Sequence, residues 1–317
     1  MRSPHGKGKK KTQPSQWRID AKTFQKPLDE LANTIAYKVQ REGSLPKYAL
    51  KPVFIIQDIY YLLRQTHQTF NLFCFMNADE RRKKDVDYRI AYSIVILPLV
   101  RTMIDCLYNI TAILKNPGPK GYQFRESGLK QTLKALDADQ RRYGGNRAWD
   151  AWIAEYRKFI GLDMRRTGIT EKDVSDAKIW PALGRYLTPK KNTALTAHQQ
   201  FLKSLTYGFW QEYSGISHAT FQGLIPIGAF LVPNDLRHEL RPMLYDQMEG
   251  MVALHVSRAA AILLCTLTEV QAHFKFDGAR INDRLHQVWN ALLGVPEIKE
   301  LYDERYAQLM RDKGINP

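Results

Sequence analysis

Ile94-Val95-Ile96-Leu97-Pro98-Leu99-Val100-Arg101-Thr102-Met103-Ile104-Asp105-Cys106-Leu107-Tyr108 is apolar around most of a helical wheel. A helix of that kind belongs at the centre of a bundle, because no face of it is suited to water. Two charges interrupt it. Arg101 falls on the stripe of Ile90, Ile94, Leu97, Ile104 and Tyr108, and Asp105 follows one turn later, within pairing reach. Burying a charge is costly unless it is paired and hydrogen-bonded. An Arg–Asp pair here is therefore either a structural clamp or part of a site.

On both sides of this segment the apolar period stays helical. The spacing predicts helices over 24–42, 53–77, 86–114, 123–142 and 147–160, and then, past an irregular stretch at 161–196, over 197–230 with a break near Pro226. A long helix follows at about 245–275, with shorter ones at 280–293 and 297–312. Asn116-Pro117-Gly118-Pro119 reads as a stop, and Pro296 as a helix start. Nothing alternates with a strand period, and no repeat recurs at fixed spacing. The expected fold is all-α, a multi-helix bundle over residues 21–317, with 161–196 as either a lobe boundary or an insertion. Residues 1–20 read as a disordered tail: Arg2, Lys7, Lys9, Lys10, Lys11 and Arg18 precede the first acid, Asp20. The tail is either an electrostatic arm for a polyanion or a solubilising extension.

The chain has 317 residues, 47 Lys and Arg against 32 Asp and Glu, and a net charge of +15. Collagen-like and low-complexity classes are excluded by a composition near the globular average. Three cysteines (Cys74, Cys106 and Cys265), far apart and odd in number, fit neither a disulfide framework nor a Cys-based zinc site, and suit a reducing cytosol. No apolar signal-peptide core follows the N-terminus. The greasy runs Ala91–Val100 and Met251–Val270 read as core helices, since one is short and the other carries His255 and Arg258. A cytoplasmic protein with no membrane span is expected. P-loop, dinucleotide-binding, zincin and serine-hydrolase motifs are all missing, and no cofactor or metal is expected.

Two further helical segments mix ionisable groups with apolar ones. In 207–221, Tyr207, Trp210, Ser214, His218 and Phe221 share a face, so the Ser214 hydroxyl and the His218 imidazole stand one turn apart. His255 and Arg258 sit at i and i+3 in the long helix. If these helices pack together, Arg101, Asp105, Ser214, His218, His255 and Arg258 meet in one catalytic pocket. Metal-independent RNA cleavage needs a histidine to accept the 2′-hydroxyl proton and a cation to stabilise the phosphorane, and such a pocket holds both. Each group also has a plain reading as a satisfied core residue. Between 140 and 170, Arg141, Arg142, Arg147, Arg157, Lys158, Arg165 and Arg166 face only Asp150, Glu155 and Asp163. Such a basic run, interleaved with rings, suits single-stranded nucleic acid. Trp149, Trp152, Ile153 and Tyr156 fit a core stripe, leaving the contact to the arginines.

The Arg101–Asp105 and Trp210–His218 segments resemble uncharacterised bacterial helical families that carry R-x-x-x-E in one apolar helix and Y-x-x-L-S-x-x-x-H in a later one. Here Asp105 replaces the Glu, and Trp210 and Tyr213 replace the Tyr and Leu. The resemblance spans about residues 50–275. It implies a fold similar to the HEPN class of helical ribonucleases and, through some relatives, a role in anti-phage defence. The R-x(4–6)-H pattern of that class occurs here as Arg280 to His286, a match that chance alone supplies in a chain of this composition. Three functions remain open: a nucleic-acid-acting protein of the ribonuclease type, a scaffold or regulator whose basic surface holds nucleic acid (RNA before DNA) or an acidic protein partner, and a small-ligand sensor. A homo-oligomer is compatible with each.

Overall fold

The structure, a computed structural model, describes residues 21–45, 52–78, 86–188, 193–206, 234–276 and 279–315. Every regular element among them is a helix, so the all-α class expected from the periodicity is the one that forms. In chain order these are α1 (Ala21–Glu42), α2 (Phe54–Ala78), α3 (Val86–Lys115), α4 (Pro117–Tyr143), α5 (Arg147–Thr167), α6 (Glu171–Asp176), α7 (Leu183–Tyr186) and α8 (Ala197–Leu205). After them come α9 (Asn234–Phe274), α10 (Ala279–Leu292), α11 (Pro296–Leu301), a π turn (Tyr302–Tyr306) and α12 (Ala307–Lys313). The basic tail and the 207–233 segment, with Ser214 and His218, lie outside the described residues.

At the centre α9 packs along α3; α2 lies against both, and α1 lies against α2 and α9. Every residue of α9 from His255 to Ala272 is buried. Ala259, Ala260 and Ala261 are small enough to let neighbouring helices approach closely. In α3, Val100, Met103, Ile104, Leu107, Ile110 and Ile113 are fully enclosed. By length and composition alone, 95–115 and 252–274 could each cross a membrane; 67% and 89% of their apolar windows are covered inside the protein. Burial also pushes the Cys106 thiol up to about 11 and the Cys74 thiol to about 12, with Cys265 higher still, so none is a ready nucleophile.

Two ion pairs fasten the C-terminal helices to α9. Arg258 forks onto Glu297 at 3.0 and 2.9 Å, and Glu269 takes the Arg305 fork at 2.6 and 3.0 Å. Between them, the buried Trp289 indole donates to Thr268 Oγ1 at 3.1 Å.

The helix ends differ from the sequence reading in two places. Asn116-Pro117-Gly118-Pro119 does not keep the chain out of helix until 123: α4 starts at Pro117 itself. Proline is tolerated there because a first-turn N–H has no intrahelical acceptor to lose. The stretch from 161 is not all irregular either. α5 runs on to Thr167, ends at Gly168 with φ +72°, and a Thr170/Asp173 capping box starts α6. Ile169, Val174 and Leu183 from this stretch join the main hydrophobic cluster.

Gly121 marks the tightest approach of α4 to α2, since a Cβ there would lie 2.5 Å from Ile55 Cγ1. Gly121→Ala should therefore lower stability by about 1–3 kcal/mol despite alanine's better helix propensity. Urea unfolding of the variant checks this, and an unchanged or raised midpoint would contradict the close contact.

Candidate functional site

The α4–α5 hairpin turns at Gly144-Gly145, where Gly145 takes φ +90°. Asn146 then caps α5, its Oδ1 accepting from the backbone N–H of Ala148 and Trp149 at 3.1 and 3.4 Å. α5 buries only Ile153, Ile160 and Met164. Trp149, Trp152, Tyr156 and Phe159 run alongside that stripe, all to one side of it and offset by up to about a third of a turn. Trp152 is 48% exposed, Phe159 is 65% exposed, and Trp149 and Tyr156 are also open to solvent. The core placement expected for Trp149, Trp152 and Tyr156 is thus corrected, while Ile153 holds. A single helix face packs against α4, and the aromatic stripe flanks it.

These rings form a continuous ladder. Tyr143 stacks on Trp149 with centroids 4.4 Å apart, Trp149 meets Trp152 edge-on at 5.6 Å, and Trp152 stacks on Tyr156 at 5.5 Å. Phe159 follows Tyr156 at 6.4 Å. All seven basic residues singled out in 140–170 are exposed. Arg142 lies over the Tyr143 ring at 5.3 Å, Arg157 pairs with Asp137, Lys158 meets Glu155 at 3.8 Å, and Arg166 binds Asp163 and Gln57. Arg141, Arg147 and Arg165 make no ion pair among the described residues.

The lower end of the ladder opens on a cavity of about 770 Å³ between α3, α4, α5 and the 180–185 segment. Tyr156 and Phe159 stand on its wall with Arg101, Asp105, Phe124 and Trp180. Two hydrogen bonds fix Trp180: its Nε1 donates to Asn109 Oδ1 at 2.9 Å, and its backbone N–H to Ser127 Oγ at 2.7 Å. Beneath lies an ion triad. Arg125 holds Asp58 of α2 through Nε and Nη2 at 3.2 and 3.0 Å, and Asp163 of α5 through Nη1 at 2.9 Å. Two carboxylates thus share one guanidinium. Burial outweighs that shared cation, and the Asp163 charge acts in the same direction as burial, so the Asp58 carboxyl is pushed up to about 7. Burial likewise raises Asp105, against the lowering field of Arg101.

Arg101 and Asp105 are therefore brought together in a water-accessible hollow, both half-buried. His255 and Arg258 do not line it. Arg258 is engaged by Glu297, and His255 is almost sealed, with burial and then Arg258 depressing its pKa to about 3. His286, of the Arg280–His286 pattern, donates from Nε2 to the Ile315 carbonyl at 2.8 Å and so anchors the C-terminal segment. Asp58, Arg125 and Trp180 escaped the sequence reading, and Asp163 figured there only as an acid of the 140–170 run. Each is a lone polar or aromatic residue in its own segment, and only the packing of separate helices unites them. Among the described residues no cluster of three His, Cys, Asp or Glu has the arrangement of a metal site. The chain matches no family model, no curated protein and no solved structure.

The raised Asp58 carboxyl sets a pH dependence. Unfolded, the group loses its proton near the ordinary 3.8; folded, it holds it to about 7. Between those values the folded state binds more protons, so rising pH costs stability. Asp58→Asn should remove this slope, and its melting temperature relative to wild type should climb between about pH 4 and about pH 7 and level off above that. A constant difference across that range would refute the raised carboxyl.

Proposed function

We propose that the protein binds single-stranded nucleic acid, RNA before DNA, along the aromatic face of α5. The observation that carries this reading is the exposed, stacked series Tyr143, Trp149, Trp152, Tyr156 and Phe159, with Arg142 over the Tyr143 ring at its head. Exposed rings offer stacking surfaces that any base accepts, and arginines without carboxylate partners are available to phosphates. The net charge of +15 attracts the same ligand from a distance. A duplex keeps its base faces stacked internally and gains little from such a ladder. This function belongs in the cytoplasm.

A second reading extends the first. A strand led down the ladder arrives at the cavity holding Arg101 and Asp105, where a guanidinium faces a carboxyl of raised proton affinity. Cleavage in the manner of a HEPN-like ribonuclease effector of anti-phage defence would further need a proton acceptor, for which His218, outside the described residues, is the sequence's candidate. A purely scaffolding role on nucleic acid, or on an acidic protein, needs the ladder and not the cavity.

Fluorescence anisotropy with a labelled single-stranded RNA tests the reading. Trp152→Ala should weaken binding roughly 5- to 100-fold, Trp152→Phe much less, at about 1–3 kcal/mol per stacked base. Arg142→Ala should flatten the salt dependence by about one unit of slope or less. Equal affinity for duplex and single strand, or no loss in Trp152→Ala, would overturn it. RNA that stays intact with wild type as with Arg101→Ala and His218→Ala would leave binding without cleavage.

A further inference from the structure

A second hollow lies on the far side of the Trp180 wall. It measures about 490 Å³ and shares Tyr108, Trp180 and Pro181 with the first cavity. Its charge is quite different. The first cavity balances Asp58, Asp105 and Asp163 against Arg101, Arg125 and Arg185. The second is lined by Lys115 and Lys120 and by no carboxylate. Neither lysine forms an ion pair among the described residues: Lys120 Nζ donates to the neutral Gln123 Oε1 at 3.0 Å and lies 5.8 Å from the Trp180 ring centre.

The wall between the lysines is aromatic. Tyr108 lies 6.1 Å from Trp180 and 5.1 Å from Tyr186, centre to centre. These rings are held from behind, since Tyr108 OH donates to the Pro181 carbonyl at 2.8 Å and the Tyr186 hydroxyl meets His198 Nδ1 at 3.1 Å. An amide also stands at the rim. Asn116 occupies the position that caps α4, yet its side chain makes no cap hydrogen bond. Gln199, by contrast, is committed, its amide donating to the Tyr186 carbonyl and its Oε1 accepting from Thr196.

Two cations without counter-charge, a rigid aromatic wall and one uncommitted amide define a ligand with an anionic group, a planar ring and a hydrogen-bonding edge. We propose that this second cavity binds a nucleoside 5′-phosphate, the phosphate on Lys115 and Lys120 and the base against Trp180 and Tyr186. The volume admits one nucleotide, either free or as the phosphorylated 5′ end of a strand. This site does not depend on the α5 ladder, and the two stand or fall separately.

Calorimetry on the full chain decides the matter, with AMP, GMP, their nucleosides and inorganic phosphate as titrants. A 5′-phosphorylated oligonucleotide and its 5′-hydroxyl twin complete the set. A saturable one-to-one isotherm is expected for a monophosphate, at least about tenfold tighter than for its nucleoside or for phosphate alone. The Lys115→Ala/Lys120→Ala double variant should lose about tenfold or more, and the Lys→Arg pair should retain binding. Trp152→Ala should leave the isotherm unchanged, whatever it does to RNA binding. If only the 5′-phosphorylated oligonucleotide gains from the lysines, the strand end is the ligand; if free AMP or GMP does, the mononucleotide is. No preference for the phosphorylated form in either arm, or full binding by a folded Lys115→Ala/Lys120→Ala chain, would overturn the proposal.

Discussion

One guanidinium sets the geometry of everything on this face. Arg125 of α4 grips Asp58 of α2 and Asp163 of α5, so three helices are pinned at a single buried point. Its position over the Phe54 ring, 5.2 Å from the centre, leaves it little room to move. Burial, reinforced by the neighbouring Asp163, outweighs the guanidiniums of Arg125 and Arg166 and leaves Asp58 inclined to keep its proton. Losing the cation would leave the largely buried Asp58 without an ion-pair partner, a far larger penalty than the triad's net contribution. The α4–α5 hairpin owes its placement to that asymmetry, and both the ring ladder and the cavity below it are built on the hairpin.

The class of fold was legible because helical periodicity is a local property, repeated along the chain. The central position of α3 followed from its mostly apolar circumference, and α9 showed a similar composition over a longer span. What failed was subtler. A proline pair reads as a break, yet a helix can begin on it when the first-turn amides have no partner to lose. Trp149, Trp152 and Tyr156 have core spacing, but spacing shows only that residues share a face. Whether another helix covers that face depends on the width of the contact, and Ile153, Ile160 and Met164 already fill it.

The site was only half visible. Arg101 and Asp105 stood out because charge within an apolar helix is rare, and they do line a hollow. The same logic selected His255 and Arg258, which serve the interior instead: Arg258 fastens α9 to α11 by a two-pronged pair with Glu297. Rarity in sequence thus signals a buried charge without telling whether its partner is another side chain or a ligand. Asp58, Arg125 and Asp163 are drawn from three separate helices. No reading confined to one segment at a time brings them together.

The thiols carry a practical consequence. Cys74, Cys106 and Cys265 are all enclosed, and the interior disfavours the thiolate form of each. Alkylating and maleimide reagents attack thiolates at the surface, so the native chain presents them with almost nothing. A single cysteine introduced on the outer side of α5 would then be the one reactive handle, accepting a spin label or dye without removal of any natural residue.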